Sequence, residues 1–246
     1  MLTAIMSDIH GNREAFAACL KHARRAGASR MIYLGDYVGY GADPGWVTET
    51  VQSHVREGAV ALIGNHDHAI AGSDENMNAE ARAAIVWTRG ELNDAQRAFL
   101  AALPLTHREG HRLYVHANAW APAQWGYIQG PIEAELSLRR TDARITICGH
   151  THIPAIYGMS PAKPAVGHTP ATGVAVPLLR SRHWLCTIGA VGQPRDGNPA
   201  AAYALLDDVS DTLTTARVPY DVESAAQKIV AAGLPPRLAA RLHLGR

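Results

Sequence analysis

Five short blocks rich in Asp, His and Asn run in order along the 246 residues: Asp8-Ile9-His10, Gly35-Asp36, Gly64-Asn65-His66-Asp67, Val115-His116 and Gly149-His150-Thr151-His152. Imidazole nitrogens with carboxylate and amide oxygens are the donors that hold divalent first-row metals. Two adjacent ions also need one carboxylate that bridges both. Asp36, between a strand and a loop, is a natural bridge, and Asn65 offers a neutral amide oxygen. Two dications set against Asp8, Asp36 and one hydroxide leave a charge of roughly +1. Such a centre attracts a phosphate anion and lowers the pKa of a coordinated water, so the chemistry expected is hydroxide attack on a phosphoester.

Elements of a particular kind must deliver these blocks to one place. Each follows an apolar, β-like run: Leu2 to Met6, Met31 to Leu34, Ala59 to Ile63, Leu113 to Val115 and Ile145 to Cys148. Parallel-type sheets present the ends of their strands at one edge, where open α/β folds place a ligand crevice. Helical spacing over Arg13–Ala26 (Ala15, Phe16, Cys19, Leu20, Ala23, then Gly27 as a stop) and a helix opened by Pro44 give βαβαβ order at the N-terminus. That order implies parallel neighbours with right-handed crossovers.

A single block proves little, because Gly, Asn and Asp also favour ordinary turns. All five together, in order and at strand ends, resemble the calcineurin-like metallophosphoesterases, whose pattern is Asp-x-His, Gly-Asp, Gly-Asn-His-Asp/Glu, Gly/Val-His and Gly-His-x-His. The resemblance runs from Ser7 to His152, and Val191 to Pro199 looks like the closing segment of a bacterial subgroup. It implies an α/β fold, a four-layer α/β/β/α sandwich of two mixed sheets with outer helices. It also implies one metal held by Asp8, His10 and His152, a second by Asn65, His116 and His150, and Asp36 between them. His66 matches the family's general acid, and Asp67 is expected to orient that imidazole. Mn or an Fe-containing pair is favoured for the two divalent ions, with Zn, Ni and Co compatible with the same donors.

The chain departs from one branch of that family. Where the Ser/Thr protein phosphatases and dinucleoside tetraphosphatases carry a phosphate-gripping Arg after Gly-Asp, this chain has Tyr40. A phosphodiester or small phosphomonoester is therefore expected over a dinucleoside polyphosphate or phosphoprotein, with Arg195 as the replacement cation beside Asn65 and His66 in binding substrate. A non-catalytic scaffold would be expected to have lost ligands, and none is missing. A nuclease would line a groove with bases and stacking aromatics; Trp120, Trp125 and Tyr127 cluster, but Lys and Arg are scarce around them, so packing beside the His116 loop is the plainer reading.

Composition agrees with a small phosphorylated substrate, a nucleotide included. The formal charge of +1 leaves no strong nucleic-acid footprint. Three cysteines (Cys19, Cys148, Cys186) without paired spacing argue against a disulfide framework and for a reducing, cytoplasmic setting. No run approaches the ~20 apolar residues of a membrane span, and Asp8 leaves no room for a leader.

The remaining chain reads as one domain with a helical insertion at about 69–103, formed by Met77–Leu92 and Asp94–Ala102 with Asn93 as N-cap. This pair either overhangs the metals or covers the sheet. Asn76, Asn78, Trp87 and Arg89 are its candidates for substrate contact, with His68 at the rim. Ala155–Met159 reads as a strand and Ser160–Ser181, with His168, as a long loop that is either a lid or a surface excursion. His183–Ile188, Ala202–Leu206 and Thr212–Val218 have the spacing of an antiparallel second sheet, and Val222–Ala232 and Pro236–Leu242 close the chain as helices.

Overall fold

The structure is a computed structural model that describes residues 1–75 and 77–246. In chain order its elements are β1 (Leu2–Met6), α1 (Arg13–Arg25), β2 (Arg30–Tyr33), α2 (Pro44–Arg56), β3 (Val60–Ala61), α3 (Asn65–Ala71), α4 (Ala79–Glu91), α5 (Asp94–Ala101), β4 (Thr106–Glu109) and β5 (Arg112–Val115). After a 3₁₀ turn at Pro122–Gln124 come α6 (Pro131–Arg139), β6 (Ile145–Cys148), β7 (Pro154–Ser160), β8 (Lys163–His168), β9 (Ala175–Pro177), β10 (His183–Ile188), β11 (Ala201–Asp207), β12 (Thr212–Val218), α7 (Val222–Ala231) and α8 (Pro236–Leu244).

Two six-stranded sheets, ordered β3-β2-β1-β11-β12-β9 and β4-β5-β6-β10-β7-β8, pack face to face. β1, β2 and β3 run parallel, as do β5, β6 and β10, while the outer pairs are antiparallel. Alternation along each strand sorts side chains between faces. Ile5 and Ile32 join Ile145, Ile147 and Cys186 between the sheets, while Ala4, Met6 and Tyr33 face outward with Phe16, Val47 and Val51 of α1 and α2. On the far side, Val115, Cys148 and Leu185 pack under Ala134 and Leu138 of α6. This is the four-layer α/β/β/α sandwich expected.

The elements that carry the site arise from local signals. Asn12 caps α1 by accepting from Ala15 N at 3.0 Å, and Ala15, Phe16, Cys19, Leu20 and Ala23 form its buried stripe. Pro44 opens α2 at its first turn.

Two expectations are corrected. β10 does not join β11 and β12; it lies parallel to β6 and antiparallel to β7 in the second sheet, while β11 and β12 extend the first sheet beside β1. Spacing shows where strands are, but hydrophobic faces and long-range register choose their partners. The stretch 160–181 is not one long loop: within it β8 pairs with β7, and β9 with β12, at the edges of the two sheets. His168 lies on β8, opposite Ile156. β8 is mostly exposed and β9 only three residues long, so neither carries a strong apolar alternation.

Of the two readings of the helices at 69–103, the packing of the described residues is the sheet-covering one. Ile70, Ile85, Leu92 and Leu100 pack with Tyr33 and Val47 against the first sheet. Asn78 caps α4 through Ala81 N at 2.9 Å, Trp87 packs beside α7 and α8, and Arg89 donates to the Ile70 and Gly72 carbonyls at 3.2 and 3.0 Å. Asn76 lies outside the described residues.

Candidate metal centre

The five blocks meet at one end of the sandwich. Asp8, His10, Asp36 and His152 bring ligand atoms together within 4.8 Å, and Asp36, His116 and His150 do the same, so both groups share Asp36. Asp36 Oδ2 lies 3.7 Å from His10 Nε2 and 3.4 Å from His116 Nε2, while its Oδ1 accepts His66 N at 2.8 Å. Asn65 Oδ1 stands 3.2 Å from His116 Nε2. Every residue expected as a ligand is thus in the cluster.

Backbone geometry aims these side chains. Eight non-glycine residues among those described have left-handed φ, and five are ligand candidates: Asp8 (+56°), His10 (+48°), Asp36 (+57°), His150 (+63°) and His152 (+63°). Such a residue costs about 1–2 kcal/mol, and strain of this kind gathers at functional sites. Gly64 and Gly149 allow the loops to close: a Cβ on Gly64 would run into the Asp36 carboxylate, and one on Gly149 into Ser7 and Asp8.

The imidazoles are presented with their lone pairs inward. Nδ1–H of His10, His116 and His152 donates to the carbonyls of Val38, Leu34 and Gln193 at 3.0, 3.0 and 2.6 Å, which leaves each Nε2 facing the cluster. That outer hydrogen bond fixes the tautomer, as in metal-ligating histidines. His150 instead points Nδ1 inward, 3.1 Å from His116 Nε2.

Electrostatics suit cation binding. Burial lowers His10, His150 and His152, His150 to about 3, so these rings stay neutral donors. Burial would raise the Asp8 and Asp36 carboxyls, but His152 beside Asp8 and His116 beside Asp36 outweigh it and hold both below the carboxylate range. For His116 burial opposes charge, yet Asp36 overcomes it and raises the ring to about 9, so its Nε2 holds a proton that a bound cation would have to displace. The fully buried Asp8 Oδ1 has no hydrogen-bond partner. An orphaned carboxylate oxygen among inward-facing lone pairs fits divalent metal.

Asp67 corrects another expectation. Its carboxylate does not orient His66: Oδ2 accepts Asp36 N at 2.7 Å and Gly64 N at 3.0 Å, Oδ1 accepts Tyr37 N at 2.9 Å, and His66 Nδ1 is buried without a partner. Asp67 instead ties the start of α3 to the loop that carries Asp36. Burial and the Asp36 charge push its carboxyl up to about 8, against the pull of those amides. His66 lies against His10 and Tyr40 (ring centroids 4.8 and 4.5 Å), and burial pushes its ring down to about 4.

Arg195 stands with its guanidinium 5.9 Å from the Tyr40 ring centre and donates to Gln193 Oε1 at 3.1 Å. The segment Val191 to Arg195 closes the site, since Gln193 supplies the carbonyl for His152 and Asn12 donates to Gly192 O at 2.9 Å. On the other flank Tyr127 stacks on His150 at 4.1 Å and Trp125 meets His116 edge-on at 5.8 Å. These two rings therefore border the centre itself rather than only packing beside its loop. Asn12 carries no ligand signature and is not selected by the sequence; Gln193 stands out only within the closing segment and Tyr127 only within an aromatic cluster read as packing.

A four-layer sandwich with a buried His/Asp cluster at its strand ends defines a metallophosphoesterase-type protein. The family model for the calcineurin-like phosphoesterase superfamily domain matches residues 1–211. The chain is 32% identical to an uncharacterised protein of Methanocaldococcus jannaschii, over 100% of this chain and 98% of that one. It is also similar to the crystal structure of a metallophosphoesterase from Sphaerobacter thermophilus (33% identity, TM-score 0.89, 100% of this chain and 99% of the other). A hypothetical protein of Pyrococcus horikoshii shares the fold (18% identity, TM-score 0.80, 100% and 98% covered). The chain belongs to the calcineurin-like phosphoesterase superfamily.

Proposed function

We propose that this protein is a dinuclear-metal-dependent hydrolase of a phosphodiester or small phosphomonoester. The observation that carries the reading is a pair of ligand groups sharing the Asp36 carboxylate. Asp8, His10 and His152 would hold one ion, Asn65, His116 and His150 the other, with Mn favoured. When bound, such ions supply Lewis acidity to the phosphoryl group and lower the pKa of a water. Asp36 sets the spacing of the two positions, and Asp67 holds the Asp36 loop. Arg195, beside Tyr40, binds the phosphate anion where related branches use an Arg after the Gly-Asp block. His66 gives a proton to the departing oxygen; a phosphate anion beside it favours the protonated ring, against burial.

We read the chain as one catalytic domain in which 69–103 is a helical insertion. The reading also places the protein in the cytoplasm, supported by three buried free thiols. No helix among the described residues is long and apolar enough to cross a membrane.

The test is hydrolysis of bis(p-nitrophenyl) phosphate and p-nitrophenyl phosphate with Mn²⁺, using Asp36→Asn as the blank. Turnover that vanishes in the blank supports the reading, and the preferred ester separates diester from monoester chemistry. Stoichiometric metal without turnover on any phosphoester would favour a scaffold instead. His66→Ala should lose more rate with an alkyl leaving group than with p-nitrophenolate; equal losses would remove His66 as the proton donor.

A further inference from the structure

Beside the centre lies a loop that supplies no metal-ligand candidate of its own. Asn118, fully buried, donates Nδ2–H to Gly126 O and accepts Ala121 N, both at 2.9 Å, and Thr151 Oγ1 donates to Ile128 O at 3.2 Å. Pinned this way, the loop holds Trp125 in the left-handed region at φ +54°. That conformation is a genuine outlier for a bulky side chain and costs of order 1–3 kcal/mol. Tyr127 lies nearly parallel to His150 (4.1 Å, 22°) yet is 45% exposed, so the ring covers the imidazole while nearly half of the residue stays open to solvent. The exposed ring of His68 stands 5.9 Å from Trp125.

We propose that Trp125 and Tyr127 form an aromatic shelf on which the nucleobase of a nucleotide-type phosphoester stacks while its phosphate occupies the metal centre. The inference rests on the phosphoesterase reading and names its substrate class. A flat heteroaromatic ring matches a half-exposed tyrosine, since every base has a π-face to offer. Residues 117–130 contain no Lys or Arg, and the formal charge of the chain is only +1. A polynucleotide would need a basic groove along its backbone. The shelf therefore suits a single nucleotide or small nucleotide ester, with Arg195 answering the phosphate charge beside Tyr40.

The test compares esters that carry a nucleobase with esters that lack one. On the Mn²⁺-loaded protein, kcat/KM is measured for AMP against ribose 5-phosphate, and for thymidine 5′-(p-nitrophenyl phosphate) against methyl p-nitrophenyl phosphate. The nucleoside member should be preferred about tenfold, the scale of one stacked base. Tyr127→Ala and Trp125→Ala should each reduce that ratio toward one, and Tyr127→Phe should keep it. Metal content, measured in parallel, separates loss of the shelf from loss of the His150 and His116 ligands. A parental ratio near one, or a full ratio in Tyr127→Ala at parental metal content, overturns the shelf while leaving the phosphoesterase reading intact. If no ester turns over, that reading fails separately, and calorimetric binding decides the shelf. AMP binding about tenfold tighter than ribose 5-phosphate and weakened by Tyr127→Ala supports it; equal binding overturns it.

Discussion

Asp67→Asn separates two roles for a buried carboxylate. Asp67 is fully buried and accepts three well-made main-chain hydrogen bonds, from Asp36 (2.7 Å), Tyr37 (2.9 Å) and Gly64 (3.0 Å). An amide keeps one acceptor oxygen and turns an NH₂ toward the remaining N–H groups, which leaves one or two buried donors unpaired. Each such donor costs about 1–3 kcal/mol, so the expected destabilisation is about 2–4 kcal/mol. For a chain of this size 1 kcal/mol shifts Tm by roughly 2–4 °C, which puts the drop at about 5–15 °C. The measurement is thermal unfolding above about pH 8, where Asp67 is ionised, and in EDTA, so that metal binding does not contribute. The Asp36 loop should also loosen, weakening Mn²⁺ binding in calorimetry. Had Asp67 served only to orient His66, stability in EDTA and metal affinity would both be unchanged. A Tm within about 1 °C of the parent would refute the positioning argument.

Gly35→Ala should destabilise severely and cost soluble yield, because Gly35 sits at φ +110° and a Cβ there would lie 2.5 Å from Gly64 N; a parental Tm would contradict it. Glu109, held by the Arg30 guanidinium across the two sheets, is depressed to about 2, from an ordinary value of about 4.3. Its contribution is complete above the unfolded value and is lost as pH falls from about 4 toward about 2. Glu109→Gln should therefore flatten the acid limb of Tm against pH relative to the parent, modestly because the pair is partly solvated. Lys228 joins α7 to Glu14 at 2.6 Å and Asp43 at 2.8 Å. Lys228→Met should cost about 1 kcal/mol, seen as a lower urea midpoint at unchanged m-value, and no change in midpoint would show the clamp to be idle.

The ligand blocks and the strands before them could be read from the chain because both are local. A strand announces itself within five residues, as at Leu2–Met6, and a metal-binding loop by its residue types. The helices beginning at Arg13 and Pro44 were legible for the same reason, the first from its apolar spacing and the second from its N1 proline.

Where β10 and β11 pair was not legible, since Thr3 meets Leu206 across some 200 residues and only the packed faces choose that register. Nor were the strands β8 and β9, which lie at sheet edges with little apolar alternation to mark them. The same limit governed the site. Which residues could bind metal was written in their types, from Asp8 to His152. That Asp67 serves the Asp36 loop instead of His66, that five ligand candidates take left-handed backbone, and that Tyr127 lies flat on His150 were decided by tertiary structure. Side-chain chemistry belongs to a residue wherever it stands, but direction, desolvation and partnership exist only once distant segments have packed together.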